Sequence, residues 1–257
     1  MNAVKAVAFD LFNTLITVEP DALPVALGRL VASLARNGLE VDEQVFAAAH
    51  RQAALDHVAK TRIDGRETHN CFWISDALAA LGSNVMPDDR RIAAAVEAYF
   101  SAFLELSRRI PGTRRLLETL RPDYRLGLLS NFTHGPAASA VLDQLELTPL
   151  FDLVIISGDL GYRKPHPRAF EALSRGFQLE PGSIVFVGDD PECDVHGARN
   201  AGLQPVWTTY VRDRNIPFAP GLPAEPTDPI DGGIPRISDW HQLTNYLGNE
   251  RKKKRQM

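Results

Sequence analysis

Residues 4 to 15 read VKAVAFDLFNTL. From Val4 to Phe9 small and branched apolar residues alternate, with Lys5 the one polar residue among them, and the run stops at Asp10. That is the pattern of a short buried strand with a carboxylate at its C-terminal end. The same arrangement recurs down the chain. RLGLL, from Arg125 to Leu129, ends in Ser130-Asn131; LVII, from Leu153 to Ile156, ends in Ser157-Gly158-Asp159. IVFV, from Ile184 to Val187, ends in Gly188-Asp189-Asp190, and PVWT, from Pro205 to Thr208, follows. Near-continuous apolar runs mark parallel strands covered on both faces.

Helical stretches separate these runs: Thr113 to Leu120, Pro136 to Leu145, Pro167 to Phe177 and Asp194 to Ala201. Alternating strands and helices predict an α/β core, a doubly wound, Rossmann-like parallel sheet. Ligands of such sheets bind outside the carboxyl ends of the strands, where the polar residues just named fall. Residues 19 to 108 break the alternation. Leu23, Leu27, Leu30, Val31 and Leu34 share one helical face, and Asp42 is placed to cap a second helix with Val41 and Phe46 as a hydrophobic staple. Phe72, Trp73 and Leu78 open a third helix that Gly82 can end. Ile92, Val96, Tyr99, Phe100, Phe103 and Leu104 form a fourth stripe. The expected domains are therefore a core of residues 1–18 and 109–250, an inserted all-helical cap of residues 19–108, and a basic tail of residues 251–257. The Pro- and Gly-rich stretch 214–236 reads as a loop, a surface excursion or else a lid or interface arm. Ser238 or Asp239 then caps a last helix, Trp240 to Leu247.

Composition limits the partners. The 257 residues are 44% hydrophobic and 23% charged, as in a folded globular protein. Net charge is −4, although five of the 28 basic residues lie in the single run Arg251 to Arg255, so the body is more acidic still. An acidic body argues against nucleic-acid binding. The basic run itself reads as a frayed, solvated tail before it reads as an anion-binding address. No segment reaches the ~18 apolar residues that span a membrane. Asp10 in the first apolar run, with no cleavage site after it, argues against a secretory signal. Two cysteines, Cys71 and Cys193, form no disulfide framework and suit a reducing cytoplasm.

Four segments thus come to one sheet edge: FDLFNTL (9 to 15), LLSN (128 to 131), GYRKPHPRAF (161 to 170) and VFVGDDPECDVHGARNAG (185 to 202). On these motifs, in this order and each after a predicted strand, the sequence resembles the haloacid dehalogenase-like hydrolase superfamily, in the subfamily with a helical cap inserted after the first motif. The resemblance runs from about Val4 to Trp207, roughly four fifths of the chain.

The residue types fit such chemistry, and each also has a plainer reading. Asp10 at a strand end is a positioned nucleophile for phosphorus or carbon, or an Asx turn. Ser130 and Asn131 are donors to the oxygens of a transferring group, or an ordinary turn. Lys164 is a fixed positive charge balancing nucleophile and anion, or a surface lysine. Asp189, Asp190 and Asp194 are hard oxygen donors of the kind Mg²⁺ takes, or helix caps. The resemblance implies Thr14 as the residue orienting the first loop. It implies Asp10, Asp189 and the backbone carbonyl of Phe12 as the Mg²⁺ ligands, and Asp194 as the holder of Lys164 or of a metal-bound water. His166 is given no role. Arg66, His69, Phe72 and Trp73 are candidates for shaping the substrate pocket, although aromatic residues on a helix are more often core.

One departure divides the readings. Phosphatases of this superfamily carry an acid two residues after the nucleophile; Phe12 stands there and cannot transfer a proton. An aromatic residue at this position resembles the 2-haloacid dehalogenases, whereas the acids of GDDPECD resemble the metal-dependent phosphatases. The expectation is a hydrolase with an aspartate nucleophile and a small anionic substrate, foremost a Mg²⁺-dependent phosphatase. The alternatives are a 2-haloacid-type dehalogenase and a binding or regulatory protein that keeps the metal site with little turnover.

Overall fold

The computed structural model describes residues 3–219, 230 and 232–255, the last six by backbone alone. The chain runs β1 (Ala6–Phe9), β2 (Ile16–Val18), α1 (Ala22–Arg36), α2 (Glu43–Asp64), α3 (Asn70–Ala80), α4 (Arg90–Leu106) and β3 (Ser107–Arg109). It continues with α5 (Thr113–Leu120), β4 (Arg125–Ser130), α6 (Gly135–Gln144), β5 (Leu153–Ile156), α7 (Ser157–Leu160) and α8 (Pro167–Phe177). Last come β6 (Ile184–Gly188), α9 (Gly197–Asn200), β7 (Gln204–Thr208), α10 (Tyr210–Asp213), β8 (Arg236–Ile237) and α11 (Trp240–Arg255).

Six strands form one sheet in the order β5-β4-β1-β6-β7-β8, every pair parallel. Side chains alternate across a strand, so β1 serves two cores at once. Val7 and Phe9 join Leu126, Leu128, Val185 and Val187 beneath α5, α6 and α11. Ala6 and Ala8 join Phe170, Leu173 and Phe186 beneath α8. This is the α/β fold that the apolar runs predict. The sixth strand escapes the sequence because two residues carry no periodicity. Arg236, assigned to the loop, begins β8 instead, held by Trp207 N–H on the Pro235 carbonyl and Thr209 N–H on that of Ile237. The rest of the loop divides. Residues 215–219 are irregular, and residues 220–229 and 231, with most of its prolines, lie outside the described residues. Asp239 caps α11 through Gln242 N–H at 3.0 Å, and the helix runs past Leu247 to Arg255, into the basic run read as a frayed tail.

Four helices lie between β2 and β3, and these two short strands pair antiparallel, Ile16 opposite Arg109 and Val18 opposite Ser107. Both chain crossings are thereby held in one ribbon. Thr113 Oγ1 adds a 3.0 Å bond to the Leu15 carbonyl. In α2, Asp42 accepts from Val45 N–H at 2.9 Å, and Val41 and Phe46 both enter the helical core. The face of α1 is rotated from the one the leucines mark. Ala22, Ala26, Leu30, Ser33 and Leu34 are buried and Leu23 is exposed, because the small alanines let α1 lie close against α4. After β6, the expected helix from Asp194 begins instead as a wide turn over Pro191–His196 before α9. Asp194 and Val195 both donate backbone N–H to the Asp190 carbonyl, which widens that turn.

Candidate functional site

Three neighbouring strands deliver the polar residues. Phe9 is in register with Leu128 of β4 and with Val187 of β6, so Asp10, Ser130 and Asp189 leave the same edge of the sheet. Lys164 arrives from the loop between α7 and α8, at a cis Lys164-Pro165 bond. Its Nζ donates to Asp10 Oδ1 and to Asp194 Oδ1, each at 2.7 Å, with the side chain 1% exposed. Nζ also lies 5.2 Å from the centre of the Phe186 ring, which walls it from water. Carboxylate oxygens of Asp10, Asp189 and Asp194 lie within 4.8 Å of one another, all buried. Thr14 Oγ1 donates to Asp189 Oδ1 at 3.4 Å, a long bond from the first loop to the fourth motif.

The surrounding backbone explains how these groups keep their places. Asp10 N–H donates to the Val187 carbonyl at 2.9 Å. Asp190 caps the wide turn, accepting from Glu192 N–H at 2.9 Å and Cys193 N–H at 2.7 Å, and its own N–H donates to Asp194 Oδ2 at 3.0 Å. Gly188 is required by that approach: a Cβ there would lie 2.4 Å from the Asp194 carboxyl carbon. Trp207, on the next strand, donates from Nε1 to the Asp189 carbonyl at 3.0 Å.

Burial of this much charge shifts the groups strongly. Desolvation, then the neighbouring carboxylates of Asp194, Asp10 and Asp190, push Asp189 well above the usual carboxylate range. Desolvation also raises Asp194, to about 7, against the opposing pull of Lys164. Desolvation alone would lower Lys164, but the charges of Asp10 and Asp194 outweigh it and raise it. Three carboxylates thus face one ammonium, and Asp189 and Asp194 keep their charges only at a cost. A divalent cation removes that cost. Hard oxygen donors at this spacing fit Mg²⁺, which takes one or two carboxylates and retains waters.

Asn131 and Phe12 have partners that the sequence does not reveal. Asn131 is engaged with Lys164: its Nδ2 donates to the Lys164 carbonyl at 2.9 Å and its Oδ1 accepts from Lys164 N–H at 2.8 Å. It therefore fixes the lysine's backbone. Phe12 stacks on Phe132, ring centres 5.1 Å apart, and that ring meets Phe100 of α4 at the same distance. The side chain at the acid's position thus belongs to an apolar seam joining core and insert. Ser130 is buried, and its Oγ has no hydrogen-bond partner among the described residues. Of the pocket candidates, His69 Nδ1 lies 2.9 Å from the Thr133 carbonyl and Trp73 Nε1 donates to Thr68 Oγ1 at 3.0 Å, while Phe72 is exposed and Arg66 pairs by backbone with Tyr162. Sequence reading misses Asn13, whose φ of 60° turns the first loop and whose Oδ1 accepts from Ala219 N–H at 2.7 Å. Its only signal was an Asn, tolerant of that conformation, between two loop positions.

A family model described as haloacid dehalogenase-like hydrolase matches residues 4–202. The chain is 29% identical over 211 residues to the glyceraldehyde 3-phosphate phosphatase of Pyrococcus furiosus, covering 82% of each. It is 28% identical over 248 residues to the phosphoglycolate phosphatase of Pseudomonas putida, covering 91% of this chain and 80% of that one. Among solved structures, the 2-haloacid dehalogenase of Pseudomonas syringae pv. Tomato superposes with a TM-score of 0.67 at 22% identity, over 96% of this chain and 99% of that one, a likeness of fold. Matched over most of its length by the family model, the chain belongs to the haloacid dehalogenase-like hydrolases.

Proposed function

We propose that the protein is a Mg²⁺-dependent phosphohydrolase of small phosphorylated metabolites, with Asp10 as nucleophile and residues 19–108 as the cap over its site. One observation carries this reading: three buried carboxylates lie together and only one buried lysine, bonded to two of them, opposes their charge, an excess of two negative charges that suits a dication. Phosphatase relatives such as the two named above support the substrate class.

Asp10 attacks phosphorus through a carboxylate oxygen; the P–O bond to the leaving group breaks and an aspartyl phosphate forms. Water then attacks that phosphorus, releasing phosphate and restoring Asp10. Lys164 holds the Asp10 carboxylate by its 2.7 Å bond and supplies positive charge where the transferring group gathers negative charge. Ser130, with its unpartnered hydroxyl, donates to a phosphoryl oxygen. Asp194 anchors Lys164, and Thr14 joins Asp189 to the first loop. Asp10, Asp189 and the Phe12 carbonyl would hold Mg²⁺, with Asp194 close by. The ion, when bound, neutralises charge on the phosphoryl oxygens. Phe12 offers no proton, so leaving groups that are stable as anions are favoured.

Phe12 also supports a second reading. A halide leaves carbon without a proton, so Asp10 could displace halide from a 2-haloacid and water cleave the resulting ester. A screen of phosphate esters and haloacids, each with Mg²⁺ and with EDTA, separates the two. Phosphate release that EDTA abolishes, with Mg²⁺ binding weakened at least about 100-fold by Asp189→Ala in calorimetry, is the expected result. Halide release indifferent to EDTA overturns it.

A further inference from the structure

The loop joining α2 to α3 lies against the segment that carries Lys164. Arg163 N–H donates to the Gly65 carbonyl at 3.0 Å and Glu67 N–H to the Gly161 carbonyl at 3.1 Å, with Arg66 and Tyr162 paired antiparallel between them. The Glu67 side chain is completely buried. Its Oε1 accepts from Arg163 Nη1 at 3.2 Å and from Thr68 N–H at 2.9 Å, and its Oε2 accepts from Ser157 Oγ. That serine oxygen in turn accepts from Phe132 N–H at 2.9 Å. One carboxylate of the insert therefore bonds the core at Arg163, in the loop that carries Lys164, and at Ser157, the first residue of α7. Arg163 directly precedes Lys164, and Phe132 directly follows Asn131, which clamps the Lys164 backbone. Gly65 completes the joint: at φ 69° it admits the His166 ring, and a Cβ would lie 2.3 Å from His166 Cδ2.

A buried carboxylate is tolerated only while its partners surround it, and these partners belong to the other part of the molecule. We propose that Glu67 is a positioning residue of the site: it latches the insert to the core and, through Arg163 and Ser157, holds Lys164 and the Ser130–Phe132 loop where turnover needs them. This rests on the reading of Asp10 and Lys164 as the reacting pair. Nothing in the Glu67 network touches the carboxylate cluster itself, so its effect is on placement.

The full chain carrying Glu67→Ala, Glu67→Gln, Gly65→Ala or, as a control within the helical core, Ile92→Val tests this. Amide hydrogen exchange and steady-state kinetics on p-nitrophenyl phosphate with Mg²⁺ are the two readouts. Glu67→Ala should speed exchange over residues 65–68 and 157–163 together and lower kcat about 10- to 100-fold, the cost of ångström-scale misplacement, with KM changed less than about threefold. Glu67→Gln still accepts from Arg163 and should regain most of kcat. Gly65→Ala keeps Glu67 but wedges the loops apart, so it should reproduce the Glu67→Ala signature even if the latter folds poorly. Ile92→Val should leave kcat unchanged. Wild-type exchange and kcat in both Glu67→Ala and Gly65→Ala overturn the proposal, as does an equal kcat loss in Ile92→Val. If wild type releases no phosphate, the phosphohydrolase reading fails alone; the exchange arm still decides whether the latch exists.

Discussion

At the sheet edge Lys164 shares its ammonium between Asp10 and Asp194, and charge survives burial because opposite charge arrives from loops distant in sequence. Inside the helical insert, His50 lies among Phe46, Trp73 and Tyr99, ring centres 5.9 to 6.1 Å away, and its Nε2 has no hydrogen-bond partner among the described residues. Among the described residues no charged partner reaches it, and desolvation lowers its pKa to about 4. A sheet edge collects the ends of several strands and can surround one ion with others. A helical core joined through alanine and aromatic faces cannot, and it keeps its one buried base neutral.

The contrast can be broken at either end. The largest effect is expected at Asp10. Asp10→Asn keeps the shape and leaves Lys164 its bond to Asp194, so the fold should persist while turnover falls about 10³-fold or more. Steady-state assays on the folded variant decide this, and undiminished turnover removes Asp10 from the chemistry.

Phe12 stands where the two regions meet, and it sharpens the comparison. An absent general acid costs about 10²- to 10⁴-fold, mostly for alkyl phosphates, whose leaving alkoxide needs a proton. Wild type should therefore favour p-nitrophenyl phosphate over alkyl phosphates, and Phe12→Asp should narrow that ratio. Under the dehalogenase reading the same change should abolish haloacid turnover, since the new charge repels an anionic substrate. A folded variant showing neither change would mean that the stack with Phe132 keeps residue 12 away from the reacting group.

The smallest effect tests the helical insert. The pKa of His50 is near 4 in the folded protein and about 6.5 in the unfolded chain. Between these values the unfolded chain binds the extra proton, so stability is full above pH 6.5 and falls as pH drops towards 4. The difference between pH 7.5 and 4.5 attributable to this residue is about 2–3 kcal/mol. Urea unfolding of His50→Phe, an apolar ring for that aromatic pocket, should show a correspondingly smaller loss over the same interval. An identical acid loss in both proteins would assign the sensitivity to other groups.

Much of this was legible from residues alone. Five of the six core strands announce themselves as apolar runs: a strand buried on both faces, such as β1 or β6, has no polar side to interrupt it, and the edge strand β5 is apolar as well although Val154 is exposed. Asp10, Ser130 and Asp189 were placed at one edge by a single rule, that parallel strands end together. The Asp42 cap and the stripe of α4 followed from local spacing. Local patterns misplaced the inward face of α1, where Ala22 and Ala26 mattered more than Leu23, since closeness of approach is a property of the pair of helices.

What the sequence determined, then, is whatever depends on nearest neighbours and periodicity: the α/β core, the helical insert, the acids after β6 and the absence of an acid at residue 12. How those residues are partnered depends on the folded chain. That Asn131 holds Lys164 by its backbone, that Trp207 steadies Asp189, that Ala219 meets Asn13 and that Glu67 reaches Ser157 and Arg163 are bonds between segments 18 to 206 residues apart. Such bonds need the folded chain to bring those segments together. No local propensity encodes them, because each depends on which side chains the folded chain leaves within about 3 Å of one another.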